Sequence, residues 1–122
     1  MRGKNLEVKI FTTNNTKELV KQVNDFLNEK SRKIKIFKRD FEVIDKSGYH
    51  YKKIVLLFEK KKVKFTEQIV IFSELNNEYS IECNINSLFN ESKNIEFCDI
   101  LTNSYVDDQN NYNSLAVIFW KK

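Results

Sequence analysis

The sequence predicts a single α+β domain over residues 1–122, with one N-terminal amphipathic helix packed on a mainly antiparallel sheet of six or seven strands. Three observations support this class. One segment repeats its apolar residues at helical spacing, several others alternate apolar and polar residues as strands do, and polar turns separate the strands as in antiparallel connections. A chain of 122 residues is also long enough to bury its own core.

The N-terminal segment has the clearest pattern. Apolar residues at every second position over residues 6–11 predict a half-buried strand. Asn15, with Glu18 three positions later, fits a variant of the capping box, in which side chains satisfy helix N–H groups. The apolar residues that follow recur at helical spacing, so a helix is predicted over residues 16–29.

A long hairpin is predicted over residues 32–60. The apolar residues of its first strand change parity near Phe37, which predicts a β-bulge or two short strands there. A turn at residues 46–48 leads to a return strand whose middle, residues 54–58, is apolar on both faces. Such a strand belongs at the centre of a sheet.

The second half is predicted to add further strands. Residues 63–72 fit a helical face as well as a strand, and their β-branched residues favour the strand. Clean alternation over residues 79–85 predicts the next strand, after a turn at residues 76–77. The remaining elements are an irregular or helical link at 86–94, a strand from 95, a loop at 107–111 and a buried strand at 115–120.

The two long hairpins are faintly alike in sequence. Each return strand has an aromatic residue near its start, Tyr49 or Tyr112, and an apolar run that ends in Phe and Lys. The matched positions are few, which favours two generic hairpins over a duplication.

Charge is distributed unevenly. Residues 1–64 carry 18 of the 21 Lys and Arg and 8 of the 17 Asp and Glu, a net +10, and residues 65–122 carry the other 3 and 9, a net −6. The acidic half would repel a phosphate backbone, so long nucleic acids are disfavoured as partners. The basic half favours a compact anion or an acidic protein surface, and the opposite charges favour pairing of copies, so a homo-oligomer is expected.

Other residue patterns disfavour several function classes. The N-terminus has no apolar signal region and no apolar run has membrane-spanning length, so we expect a cytoplasmic protein without a membrane partner. Cys83 and Cys98 lie on predicted strands without CxxC spacing, which predicts reduced core thiols and no metal site. The single histidine, His50, has no clustered carboxylates nearby, so we predict no catalytic residue, no cofactor and no enzymatic activity.

Five segments near the two ends of the chain carry a resemblance to a known family: Val8-Lys9-Ile10-Phe11, Lys17-Glu18-Leu19, Val23-Asn24-Asp25-Phe26-Leu27, Ile95-Glu96-Phe97 and residues 115–122. These segments resemble the small sporulation-associated proteins of low-GC Gram-positive bacteria and their phages. They cover less than half of the chain and leave residues 31–94 as a large insertion. The resemblance implies a βαββ kernel and carries no active site.

A candidate ligand site is predicted on the basic hairpin. Basic side chains on its two strands can meet across the pair, and tyrosines beside them offer flat faces for a base ring. A nucleotide needs both, cations for its phosphates and aromatic rings for its base. The predicted ligand-binding residues are Arg39, Tyr49, Tyr51, Lys53, Tyr105 and Tyr112. A solvated strand face that resists aggregation is the alternative interpretation of the same lysines.

Two functional hypotheses follow from these patterns. The first is a non-enzymatic protein that binds an anionic small molecule of nucleotide type, as a phage anti-defence sponge that sequesters a nucleotide-derived immune signal. The second is a sporulation-associated or host-directed interaction factor that has no small-molecule ligand and docks on an acidic protein surface.

Overall fold

The computed structural model describes the backbone of residues 5–46, 49–75, 78–92, 94–107 and 110–121. The predicted turns at 47–48 and 76–77 and the middle of the predicted loop, 108–109, lie outside the described residues. The described elements are β1 (Leu6–Thr13), α1 (Thr16–Glu29), β2 (Ile34–Lys46), β3 (Tyr49–Lys60), β4 (Thr66–Leu75), α2 (Glu78–Glu91), β5 (Ile95–Asp107) and β6 (Asn110–Lys121).

The described strands form two antiparallel sheets of three strands each. Sheet 1 has the order β1-β3-β2 and sheet 2 has the order β4-β6-β5. The predicted α+β class is confirmed, whereas the single sheet of six or seven strands is wrong. The physical reason lies at the edge of β4, where the Asn24 side chain of α1 takes the place of a further strand. Its amide donates to the carbonyl of Ile69 at 2.9 Å and its oxygen accepts from the Ile69 N–H at 2.8 Å.

The two sheets belong to two consecutive βαββ units of the same topology. Unit 1 comprises β1, α1, β2 and β3, and unit 2 comprises β4, α2, β5 and β6. Ile36 pairs with Phe58 in unit 1. Phe97 pairs with Phe119 in unit 2, so both partners are shifted by 61 residues. A bulge follows at the same point in each unit, and the one near Phe37 was predicted.

The likeness of the two hairpins therefore belongs to a repeat of the whole βαββ unit, and the interpretation as two generic hairpins is replaced. Residues 31–94, which the resemblance leaves as an insertion, contain the hairpin of unit 1 and the first strand and helix of unit 2. The boundary between unit 1 and unit 2 therefore lies near residue 64, close to the point where the charge of the sequence changes from basic to acidic.

Helix α1 has the predicted bounds and the predicted N-cap. The Asn15 side chain accepts a hydrogen bond from the Glu18 N–H at 3.0 Å, which satisfies one of the free N–H groups of the first turn. Leu19, Val23 and Leu27, spaced by four residues, are buried. This spacing places them along one face of the helix.

Helix α2 contradicts the strand predicted over residues 79–85. Alternate positions there are apolar, but only Ile81 and Ile85 are buried, whereas Tyr79 is 72% exposed and Cys83 is exposed. Residues four apart share a helix face and residues two apart do not. The pattern of period two was therefore accidental, and the spacing from Ile81 to Ile85 to Leu88 is the one that decided the structure.

The units stack with sheet 2 packed on the core of unit 1. We call the face of each sheet that its own helix covers the inner face, and the opposite face the outer face. The inner face of sheet 1 and helix α1 form one core, and the outer face of sheet 2 joins it through Ile69, Ala116 and Ile118. Helix α2 covers the inner face of sheet 2, where Ile81 and Ile85 contact Val117.

An ion pair between Arg39 and Glu67 links the two units. The Arg39 Nε donates to a Glu67 carboxylate oxygen at 2.7 Å and Nη2 donates to the other oxygen. Both side chains are nearly buried, at 13% and 11% exposure. Burial lowers the pKa of Arg39, and the hydrogen bond and charge of Glu67 raise it by more, so the net direction is upward.

We expect Arg39→Ile alone to lower the free energy of unfolding by about 3–5 kcal/mol, because the Glu67 carboxylate is then buried without its partner. The double variant Arg39→Ile/Glu67→Leu should recover most of this loss. It places at the ion pair the residue types that stand 61 positions away in the repeat, Ile100 and Leu6. Urea unfolding followed by circular dichroism measures both values, and a double variant no more stable than the single one contradicts the prediction.

Candidate functional site

The structure separates two of the predicted ligand-binding residues, Arg39 and Lys53. The bulge near Phe37 shifts the parity of β2, so Arg39 pairs with Leu56 and lies on the inner face, in the ion pair with Glu67. Lys53 lies on the outer face, with its Nζ 3.7 Å from a Glu42 carboxylate oxygen. Arg39 and Lys53 therefore do not meet across the hairpin as predicted, because the two side chains leave opposite faces of one sheet.

The predicted tyrosines are placed only in part. Tyr51 is half-buried and shares the outer face with Lys53, two positions away on β3. The backbones of Tyr105 and Tyr112 pair across β5 and β6. The side chains of Tyr49, Tyr105 and Tyr112 lie outside the described portion of the chain, so their roles stay predictions.

A cleft of about 450 Å³ opens where the two units meet. Unit 1 contributes the end of α1 and the start of β2, the connection between the units contributes residues 61–65, and unit 2 contributes the start of β4 and Trp120. Its basic lining residues are Lys30, Arg32, Lys35, Arg39, Lys61 and Lys64. Glu67, the carboxylate among the described lining residues, is held by Arg39. The cleft therefore carries a strong net positive charge.

Backbone hydrogen bonds hold the basic segments together. The Val63 N–H donates to the Arg32 carbonyl at 3.0 Å, and the Lys61 N–H donates to the Lys33 carbonyl at 3.0 Å. Arg32 has a φ of 61°, in the left-handed region, which costs a residue with a Cβ about 1–2 kcal/mol. Strained residues of this kind cluster at functional sites.

Two aromatic rings of the cleft stack on each other. Phe65 and Trp120 have ring centroids 6.5 Å apart at an interplanar angle of 24°, and both rings are half-buried. Trp120 was expected in the core, but it lies on the outer face of sheet 2 at the edge of the contact with unit 1. The cleft thus presents a flat aromatic surface beside its cations.

Sequence reasoning missed most of this cleft. The run Lys60-Lys61-Lys62 lies on a second basic surface next to the cleft, and this surface is lined also by Ser31, Arg32 and Lys33. The predicted hairpin was the sequence signal that could have located these basic residues. Because Ile34 pairs with Lys60, the basic residues that begin β2 must lie beside those that follow β3.

The two cysteines differ in their surroundings. Cys83 is exposed on α2, so the prediction of a core thiol is wrong for it. Cys98 lies half-buried at the bulge of β5, against the core of unit 1. Burial and the Glu67 charge, opposed by Arg39 and supported by Asp99, raise the pKa of Cys98 to about 11.

Comparisons with known proteins give no relative, since no protein family, curated protein or solved structure matches the chain. Neither described helix has the length and apolar composition of a membrane span. Among the residues that the structure describes, no three His, Cys, Asp or Glu side chains are placed to hold a metal ion.

We expect a thiol reagent at neutral pH to modify the exposed Cys83 rapidly. Cys98 should react slowly, because the thiolate is the reactive form and burial raises the pKa of the Cys98 thiol. The slow rate should rise with pH and still be rising at about 11, where half of the Cys98 thiol is ionised. Absorbance of the released thiolate from a disulfide reagent, with Cys83→Ser as the control, separates the two rates. Equal rates for both cysteines in the folded protein contradict this expectation.

Proposed function

We propose that the protein binds a compact anionic molecule with a planar ring, of nucleotide type, in the cleft between its two units. The observation that carries the proposal is the convergence of basic side chains on the stacked rings of Phe65 and Trp120. Phosphate oxygens are bound by Lys and Arg through charge-assisted hydrogen bonds, and a base stacks on aromatic side chains.

The dimensions and charges of the cleft support a small ligand. Its volume of about 450 Å³ falls within the range of roughly 300–1,000 Å³ that is usual for small-molecule sites. The positive charge belongs to unit 1 and its connection to unit 2, whereas residues 65–122 carry a net −6. A long polyanion that extends over unit 2 would meet that negative charge, and a nucleotide confined to the cleft would not.

The strained turn at Arg32 also supports a binding role. The peptide hydrogen bonds around it fix the backbone before any ligand arrives, and fixed binding groups lose less entropy when a ligand binds. The lining residues supply charge and ring surface, which hold a ligand. We therefore assign to this cleft the hypothesis of a non-enzymatic sponge that sequesters a nucleotide-derived immune signal.

The second hypothesis, an interaction factor for an acidic protein, is favoured by the open basic surface beside the cleft. Ser31, Arg32, Lys33 and residues 60–62 line this surface, which is too shallow to enclose a small molecule. An acidic protein would contact these lysines as well as the cleft, whereas a nucleotide would depend on Phe65 and Trp120.

Arg32→Gly tests the proposal, because it removes the guanidinium and also relieves the left-handed backbone. We expect a more stable protein that binds the ligand at least about tenfold more weakly, since a hydrogen bond to a charged group contributes about 1.5–3 kcal/mol. Trp120→Leu should weaken binding by a similar factor through lost stacking. Calorimetry with cyclic nucleotides and cyclic ADP-ribose isomers measures binding, and urea unfolding measures stability.

Lys53→Ala is the matched control, because Lys53 lies on the opposite face of sheet 1 from the cleft and should leave binding unchanged. Two results contradict the proposal: no ligand of the panel binds at micromolar concentration, or Arg32→Gly binds as tightly as the unchanged protein. Capture of an acidic protein that survives Trp120→Leu and is lost on charge reversal at Lys60 and Lys62 favours the interaction factor.

A further inference from the structure

The repeat allows each residue at the contact between the units to be matched with a residue at an open end of the chain. Strand positions are related by 61 residues and helix positions by 62, since Leu19 and Val23 of α1 correspond to Ile81 and Ile85 of α2. Within the chain, the inner face of unit 1 packs on the outer face of unit 2. The inner face of unit 2 and the outer face of unit 1 are the corresponding open surfaces.

The outer face of sheet 1 has the chemistry of a buried surface but is exposed. Ile69 and Ile118, on the outer face of sheet 2, are 2% and 4% exposed. Their counterparts are Val8, which is 57% exposed, and Leu57, which is half-buried. Ile10, beside Val8 on the same face, is 54% exposed. The same apolar positions are therefore present in both sheets. Unit 1 covers them in sheet 2, whereas no described residue covers them in sheet 1.

The inner face of unit 2 shows the same contrast. Leu27 and Ile36 of unit 1 are buried at the contact between the units. Their counterparts Phe89 and Phe97 contact each other edge to face at 5.9 Å and are 40% and 51% exposed. Large exposed apolar patches on soluble proteins mark interaction surfaces.

The residues that make specific contacts between the units also have counterparts in the open surfaces. Asn24, which binds the backbone of Ile69, corresponds to Asn86 of α2, and Ile69 corresponds to Val8 at the open edge of β1. Asn86 lines a groove of about 440 Å³ between α2 and sheet 2. In unit 1, β4 lies against the corresponding side of α1. The groove beside α2 is therefore the place where an edge strand of another unit would lie.

The ion pair between the units is replaced as a pair. Arg39 and Glu67 correspond to Ile100 and Leu6, so the two open surfaces carry apolar residues at the positions of the opposite charges within the chain. A single replacement would have left a charge facing an apolar side chain, which is costly. Both open surfaces therefore remain complementary to each other.

We propose that a second copy of this chain docks head to tail, with the inner face of unit 2 of one copy on the outer face of unit 1 of the next. The occupant is a copy of this chain because the two open surfaces reproduce both sides of the contact that already exists within it. Such an interface uses two different surfaces, so it closes into a ring or extends as a filament.

Two single variants and their mixture test the proposal. Val8→Glu blocks the outer face of unit 1, and Phe97→Glu blocks the inner face of unit 2; both side chains are more than half exposed, so folding should be retained. We expect the unchanged protein to associate with rising concentration and each variant to stay at 14.6 kDa. A mixture of the two should form a one-to-one complex of twice that mass, because each variant keeps the surface that the other lacks.

Tyr79→Glu is the matched control, because Tyr79 is the exposed apolar residue of α2 whose counterpart in unit 1 is the exposed Lys17. It should associate as the unchanged protein does. Light scattering coupled to size exclusion and sedimentation velocity measure the masses. The proposal is overturned by an unchanged protein that is monomeric at millimolar concentration, or by variants that do not combine. Neither substitution lies in the basic cleft, so nucleotide binding by both variants is measured separately.

Discussion

Helix α1 is the element on which the structure depends, because it packs against both sheets at once. Its buried residues Leu19 and Val23 face the core of unit 1. On its other side, the Asn24 amide binds the backbone of Ile69, and the Asn28 oxygen accepts a hydrogen bond from the Gln68 side chain at 2.9 Å. An edge strand leaves a row of N–H and C=O groups to be satisfied, and here a helix side chain satisfies part of that row.

The position of α1 also explains the basic cleft. Because α1 lies against β4, its C-terminal end, the start of β2 and the connection to unit 2 meet at one corner of the molecule. The outer face of sheet 2 brings Trp120 to the same corner. The charge difference between the halves of the sequence is thus a difference between two stacked units, and the cleft lies on the basic side of their contact.

The sequence predicted the elements better than their arrangement. The apolar spacing from Leu19 to Leu27 and the Asn15 cap were local signals, so α1 was predicted with its observed bounds. Helix α2 was missed because its apolar residues also fit a period of two, and only burial distinguishes Tyr79 from Ile81. The division into two sheets depends on a contact between residues 24 and 69, which no local pattern contains.

The expectation that Arg39 and Lys53 meet across the hairpin failed for a related reason. A bulge changes the face of every residue that follows it, so locating the bulge near Phe37 was not enough without following Arg39 to the inner face. The cleft that the structure contains depends on the pairing of Ile34 with Lys60 and on the stacking of the units. Pairing was predictable from the hairpin, but stacking was not.

Amide hydrogen exchange at Ile69 tests most directly whether α1 holds the two units together. Its N–H faces the free edge of β4 and is bonded only through the Asn24 side chain among the described contacts. If α1 holds the units together, this amide exchanges as slowly as the core of unit 1, through global unfolding. Exchange at Ile69 as fast as at an open edge strand would contradict it, because the stacked arrangement of the units would then not persist in solution.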